Sequence, residues 1–217
     1  ELSLSSPAVS GYSAYAFADA ADVVINARLA ADAAGATKMD RPEWGAVDPV
    51  TGAVYMTLTN NNAALRTLAA TDAANPRHYN DPRTNGTAQR GNPNGHIVRW
   101  REPSPEALAF AWDIFLFGAR AKAPSDVNLS QLSDDNDFSS PDGLWFSEVS
   151  GICWIETDDG AYTDVTNCML LAALPGAVGD GGARTVTNVD DKGALKQVQT
   201  YVGAAPGYKL RRFLVGP

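Results

Sequence analysis

The sequence predicts a mainly β protein that begins with a helical segment. Two stretches, Trp44–Thr59 and Asp142–Asp158, each have the pattern of an apolar strand, a turn containing Gly, and a second strand. A third stretch, Tyr12–Ala34, is rich in Ala and repeats apolar residues at three- and four-residue steps. The hydrophobic content of 45% argues against a disordered chain.

Residues 1–35 form the predicted helical segment. Ser13 is a suitable N-cap and Gly35 a suitable end, so the pattern fits one long helix or two short ones. The apolar stripe of this segment consists of Phe17, Ala20, Val24, Ala27 and Ala31, widened by Val23, Ile25 and Leu29. Residues 36–217 are assigned to the β part of the chain.

Each predicted hairpin has turn residues in favourable places. The first turn is Asp48-Pro49-Val50-Thr51-Gly52 and the second is Glu148-Val149-Ser150-Gly151. Two such units with further strands between them predict propeller blades, each a small antiparallel sheet. All five Trp side chains lie in strand patterns, and we expect them to be largely buried: Trp44, Trp100, Trp112, Trp145 and Trp154.

A basic and an acidic residue flank a proline at the start of the first hairpin. Pro42 is expected to push Arg41 into an extended conformation, so that Arg41 and Glu43 project from the same side of the chain. Such a pair is compatible with a plain ion pair, which the spacing alone favours. It is equally the arrangement of an oxyanion-binding guanidinium beside a ligand for a hard metal ion.

Residues 60–95 form the longest region without a strand pattern. The region is rich in Asn, is interrupted by Asn-Pro and Asp-Pro steps, and carries Arg66, Arg77, Arg83 and Arg90. One interpretation is a lid that faces the substrate and attracts phosphate through its arginines. The more common alternative is an exposed insertion whose charges are solvated.

An acidic tract runs from Asp126 to Asp142. Closely spaced carboxylates suit calcium, although a solvated acidic loop is the more common case. Within the tract we single out Asp142, because it lies at a strand entrance as Glu43 does. The turn at Asp158 and Asp159 is a weaker candidate, since an Asp in a hairpin turn usually bonds its own backbone.

Charge and composition exclude several classes of function. A net charge of −8 disfavours a broad nucleic-acid interface, and no apolar run reaches the roughly 18 residues that a membrane span needs. With only His78 and His96 present, a zinc site is not expected. Cys153 and Cys168 are compatible with one disulfide or with two buried thiols.

The order of several short motifs resembles the PhoX-type alkaline phosphatases. The resemblance extends from about residue 15 to the end of the chain and rests on these segments: Met39–Trp44, Gly52–Asn61, Ala74–Arg77, Asn94–Trp100, Trp112–Phe115, Ser140–Phe146 and Arg211–Pro217. It implies a six-bladed β-propeller, of which this chain would supply about three blades. It also implies a secreted or periplasmic phosphatase that uses iron and calcium.

The resemblance carries roles onto two positions of the Arg-Pro-Glu motif. It implies that Glu43 is a metal ligand and that Arg41 contacts the phosphate of a phosphomonoester substrate. Asp142 begins another matching motif and is our second candidate metal ligand. The resemblance places most metal ligands, including a cysteine thiolate on iron, in a longer N-terminal half that this chain does not contain.

Two further expectations follow from this partial match. The chain should pack against the remainder of a propeller or against other copies of itself, through Leu170, Leu171, Phe213 and Leu214. The alternative to an enzyme is a non-catalytic propeller-like module for surface or assembly roles, which would keep the scaffold without the chemistry.

Overall fold

The computed structural model describes residues 14–158, 160–204 and 209–215 of the chain. The chain divides into two compact units, Glu1–Lys38 and Met39–Pro217. None of the helices in these described ranges has the length and apolar character needed to cross a membrane.

The part of the first unit that the structure describes contains two short helices, α1 (Ala20–Ile25) and α2 (Ala27–Ala33). Asp19 caps α1 by accepting a hydrogen bond from the Asp22 N–H at 2.9 Å. Gly35 has a φ of 69° and ends α2 as predicted, whereas Ser13 lies outside the described residues. The predicted apolar stripe is only partly correct, because Phe17 is buried but Val24 is 75% exposed, and the buried residue of α2 is Ala30, which the stripe did not include.

The regular elements described in the second unit are all strands, joined by turns and irregular segments. Their bounds are β1 Pro42–Val47, β2 Val54–Leu58, β3 Asn61–Asn62, β4 Tyr79–Asn80, β5 Arg90–Asn92, β6 His96–Arg101, β7 Ala111–Phe117, β8 Pro141–Phe146, β9 Cys153–Thr157, β10 Met169–Ala173, β11 Ala183–Val189, β12 Leu195–Tyr201 and β13 Leu210–Val215.

Two of the sheets have four antiparallel strands each, in the orders β1-β2-β6-β7 and β13-β10-β9-β8. Smaller sheets have the orders β3-β5-β4 and β11-β12. Both predicted hairpins are confirmed, because β1 pairs with β2 and β8 pairs with β9. The fold is therefore mainly β, but the sheets of the described residues do not close into a ring, and six blades are not observed.

The two four-stranded sheets share one apolar core. Tyr55 and Ile97 of the first sheet belong to the same fully buried cluster as Ile155 and Leu171 of the second. The Tyr55 ring meets Phe146 edge-on, with 5.0 Å between the ring centroids. Leu171 is thus a core residue, and its assignment to an association surface was wrong.

The prediction that the tryptophans are largely buried was also wrong. Trp44 is 56% exposed and Trp145 is 60% exposed, and the other three are half-buried. Trp44 lies on β1 and Trp145 on β8, each an edge strand of its sheet. An edge strand has a neighbour on one side only, so its large side chains are covered less completely than those of central strands.

Residues 60–95 are not exposed at Arg66 and Arg77, as both interpretations of the sequence required, whereas Arg90 is exposed. Arg66 and Arg77 are buried, at 4% and 1% exposure. Arg66 pairs with Asp40, while Arg77 donates to the carbonyl oxygens of Gly118 (2.8 Å) and Val127 (2.9 Å). The region also contains the short strands β3, β4 and β5, which form one three-stranded sheet.

Candidate functional site

Two hydroxyl groups lock the two predicted hairpins together. Thr57 and Thr59, at the end of β2, donate hydrogen bonds to the carbonyl oxygens of Asp142 (2.7 Å) and Pro141 (3.0 Å). Pro42 of β1 lies opposite Leu58 of β2, so the first residues of β1 are brought beside the first residues of β8. The structure therefore assembles the two strand entrances that the sequence singled out.

Arg41 does not have the extended conformation predicted for a residue before proline. Its φ is 47°, in the left-handed region, which costs a non-glycine residue about 1–2 kcal/mol. Two backbone contacts hold it there: its N–H donates to the Met39 carbonyl at 3.1 Å, and its carbonyl accepts from the Thr59 N–H at 3.2 Å. Tertiary contacts thus override the local preference.

The ion pair between Arg41 and Glu43 is present but loose. Arg41 Nη2 and Glu43 Oε1 are 3.6 Å apart, and the two side chains are 55% and 40% exposed. Exposed pairs of this kind contribute roughly 0–1 kcal/mol. A shorter contact joins Arg41 Nη1 to Asn60 Oδ1 at 2.8 Å, so the guanidinium is held more firmly by a neutral amide than by the carboxylate.

Asp142 lies in a field of negative charge. Partial burial raises the pKa of its carboxyl group first, Glu43 and Asp158 raise it further, and Arg41 opposes them. Glu156 adds a smaller repulsion. The three predicted site residues are therefore near one another, and Glu156 is an acidic neighbour that the sequence did not indicate.

The oxygen-rich donors at this site suit one of the two expected metals better than the other. Carboxylates such as Glu43 and Asp142 are ligands for a hard cation such as calcium, whose charge would relieve the repulsion at Asp142. In the described residues, however, no group of three or more His, Cys, Asp or Glu side chains is arranged to hold a metal ion.

The buried cysteine of this chain is a poor ligand for iron. Cys153 is buried in the core, and burial raises the pKa of its thiol to about 12, so the thiolate that iron binds is disfavoured. Cys153 and Cys168 are not joined in a disulfide. Among the described residues, the carboxylates therefore suit calcium, and the buried Cys153 thiol does not suit iron.

A buried polar layer supports the turn before Arg41. Asp40 is fully buried and accepts hydrogen bonds from Arg66 Nε (2.8 Å), Asn61 Nδ2 (2.8 Å) and Asn92 Nδ2 (3.0 Å). Because the layer fixes Asp40 through several donors, it also fixes the start of Arg41. Sequence reasoning did not find this layer, since an Asp beside an Arg-Pro-Glu motif looks like any surface acid.

His96 extends this layer as a neutral side chain. Burial lowers its pKa to about 4. Its Nδ1 lies 3.0 Å from Asn92 Nδ2, which is a donor, and its Nε2 lies 2.8 Å from the Ala74 carbonyl oxygen, which is an acceptor. The imidazole therefore carries its proton on Nε2 and serves as a structural link rather than as a metal ligand.

Two comparisons with known proteins give a match for this chain. The family model described as alkaline phosphatase PhoX matches residues 3–205. A solved structure, Pseudomonas fluorescens PhoX in complex with vanadate, a transition state analogue, is 35% identical with a TM-score of 0.59. The match covers 80% of this chain but only 31% of that one, and no curated protein matches the chain. The chain belongs to the PhoX family of alkaline phosphatases.

Proposed function

We propose that this chain supplies part of the active site of a metal-dependent phosphomonoesterase. Arg41 binds the phosphate, and Glu43 and Asp142 are metal ligands. The observation that supports the proposal is that the exposed Arg41 guanidinium lies near the Glu43 and Asp142 carboxylates. They lie where the two hairpins, joined by the Thr57 hydrogen bond, begin. The vanadate bound by the Pseudomonas relative supports chemistry on a phosphate ester.

Arg41 has the form that phosphate recognition requires. Its guanidinium is more than half exposed and presents planar N–H donors that match two phosphate oxygens at once, which a lysine cannot reproduce. Asn60 occupies one donor, on Nη1. The guanidinium orients the phosphate and offsets its charge against a protein whose net charge of −8 repels anions.

Glu43 and Asp142 would hold the cation at the same opening. A bound metal ion would supply neutralisation of the phosphate charge and activation of an oxygen nucleophile. Of the expected ions, calcium is the one that these carboxylates suit, and we assign no step to iron in this chain. The closed six-bladed propeller, the remaining ligands and a periplasmic or extracellular location are further parts of this proposal, supported by the family membership.

The test is a phosphomonoesterase assay on the natural protein at full length, with metal analysis of the same sample. Replacing Arg41 by Ala should lower kcat/KM by about a hundredfold or more, because a donor to developing phosphate charge is lost. Arg41→Lys should recover little of it. The matched control is Arg101→Ala, which removes an exposed arginine at the end of β6 and should leave kcat/KM unchanged.

Glu43→Ala tests the metal-ligand assignment. It should abolish turnover and reduce the bound metal while the thermal unfolding midpoint stays close to that of wild type. Activity within about tenfold of wild type, an effect of roughly 1.4 kcal/mol, contradicts the assignment. A wild-type protein with neither metal nor turnover supports the non-catalytic module instead.

A further inference from the structure

Asn60 connects the two strand entrances through its side chain. It lies two residues beyond the end of β2 and is half-buried. Its Oδ1 accepts a hydrogen bond from Arg41 Nη1 at 2.8 Å, and its Nδ2 donates to Ser140 Oγ at 3.3 Å. One amide therefore joins the guanidinium at the first hairpin to a hydroxyl at the second, and both of its polar atoms are used.

Ser140 is a fixed anchor for this amide. The residue is fully buried with a φ of 52°, and its N–H donates to the Asn94 carbonyl at 2.9 Å. Its own carbonyl accepts from the Asp158 N–H at 3.0 Å, and its hydroxyl lies 3.0 Å from that of Ser139. Because every polar group of Ser140 is engaged, the Asn60 amide has little freedom to turn.

Thr59, the residue before Asn60, contacts the backbone of Arg41. The Thr59 N–H donates to the Arg41 carbonyl, and the Thr59 hydroxyl donates to the Pro141 carbonyl. Two consecutive residues thus fix the backbone and the guanidinium of Arg41 against the same neighbouring strand entrance. The Glu43 carboxylate lies 3.6 Å from the guanidinium, which is too long for a hydrogen bond, so it orients the guanidinium less than Asn60 does.

We propose that Asn60 is the positioning residue of Arg41, which it aims at the substrate phosphate through a neutral hydrogen bond. The inference rests on the proposed function of Arg41. Neutrality matters because Glu43 and Asp142 already place negative charge at this opening. A carboxylate in place of the amide would pair with the guanidinium and compete with the phosphate for it. An amide directs the guanidinium and leaves its charge available.

A double-mutant cycle on the full-length enzyme tests this assignment. Wild type, Asn60→Ala, Arg41→Ala and the double variant are compared for kcat, KM, and inhibition by inorganic phosphate and by vanadate. Asn60→Ala should raise KM and both inhibition constants about tenfold, because the long side chain must then be immobilised by the ligand itself. In the Arg41→Ala background the same replacement should change nothing.

Asn60→Asp and Asn85→Ala complete the design. Asn60→Asp keeps the size and the acceptor but adds charge, so it should weaken phosphate and vanadate inhibition more than Asn60→Ala does. Asn85 also uses its Oδ1, to accept from the Thr87 N–H in an exposed turn, and Asn85→Ala should leave every constant at its wild-type value. Thermal unfolding of each variant separates these effects from loss of fold.

The possible results separate this inference from the function on which it depends. The positioning role alone is overturned if the wild type is active and Arg41→Ala loses activity, but phosphate and vanadate inhibit the Asn60 variants as strongly as they inhibit wild type. Equal losses from Asn60→Ala in both Arg41 backgrounds also overturn it, because they show a general structural effect. An Arg41→Ala variant with wild-type constants overturns the proposed role of Arg41 itself.

Discussion

Asp142 is an acid whose surroundings oppose its ionisation. Its raised pKa means that the folded protein keeps this proton to a higher pH than the unfolded chain does. Stability therefore falls as the pH rises through the interval between the unfolded and the folded pKa, and the penalty persists at higher pH. Because the side chain is only partly buried, solvent screening keeps the penalty modest.

Replacing Asp142 by Asn should separate stability from activity. At pH 7 without calcium, the variant should unfold at a higher temperature than wild type, and the difference should shrink as the pH falls below the folded pKa. Added calcium should stabilise wild type but not the variant, and turnover should be lost. Thermal unfolding at several pH values measures this, with Asp134→Asn in the exposed part of the acidic tract as control. A variant that unfolds earlier than wild type at pH 7 contradicts the argument.

The hairpins are the elements that sequence reasoning could find, because their signals are local. The turn at Asp48–Gly52 and the apolar strands beside it are visible within a few residues. The left-handed conformation of Arg41 depends on Thr59, and the burial of Arg77 depends on carbonyls at Gly118 and Val127. Such contacts between distant segments leave no mark in a single sequence, so the site residues could be named but their supports could not.

Strands β6 and β7 are joined by a buried ion pair. Arg99 and Asp113 are direct cross-strand partners with fully buried side chains, linked by bonds of 2.7 and 2.8 Å. Arg99 also donates to the carbonyl oxygens of Gly176 (3.1 Å) and Ala177 (2.7 Å), which brings the segment before β11 onto this sheet. Arg99 Nη2 also pairs with Asp180 at 3.1 Å, but Asp113 is its bidentate partner, and removing one partner from a buried charge is expensive.

Asp113→Leu should reduce the free energy of unfolding by about 3 kcal/mol or more, because it leaves a buried guanidinium without its bidentate partner. The double variant Arg99→Met with Asp113→Leu should be more stable than that single variant, since the buried guanidinium is gone. Urea denaturation of the wild type and these two variants gives the comparison. A double variant that is less stable than Asp113→Leu would show that the unpaired Arg99 charge is not the cause of the stability loss in Asp113→Leu.

One face of the second four-stranded sheet remains largely uncovered. Trp145 pairs with Trp154 across β8 and β9, and the Trp154 ring lies 5.2 Å from that of Phe213 on β13. Trp145 is 60% exposed and Phe213 is 69% exposed. Leu170 is half-buried, and the side chain of Leu214 lies outside the described residues. Large exposed aromatic surfaces of this kind favour association.

Residues 1–217 expressed alone should therefore self-associate, through Trp145 and Phe213 rather than through Leu171. Replacing both Trp145 and Phe213 by Ser should shift the population toward monomer in sedimentation velocity, because it removes the exposed aromatic surface. Val149→Ser changes a fully exposed apolar residue in the turn between β8 and β9 and is the matched control. A wild-type chain that sediments as a single monomeric species contradicts the expectation that this sheet face drives association.

The bonds that lock the two hairpins also determine when the site can form. Thr57 and Asp142 are 85 residues apart in sequence, and Asn60 and Ser140 are 80 apart. Each hairpin can close early, because its contacts are local, whereas joining the two must first overcome the entropy of a long loop. We therefore expect Arg41 to acquire its final orientation late in folding. A nascent or partly unfolded chain would have both hairpins yet would lack the arrangement of Arg41 that we propose for phosphate binding.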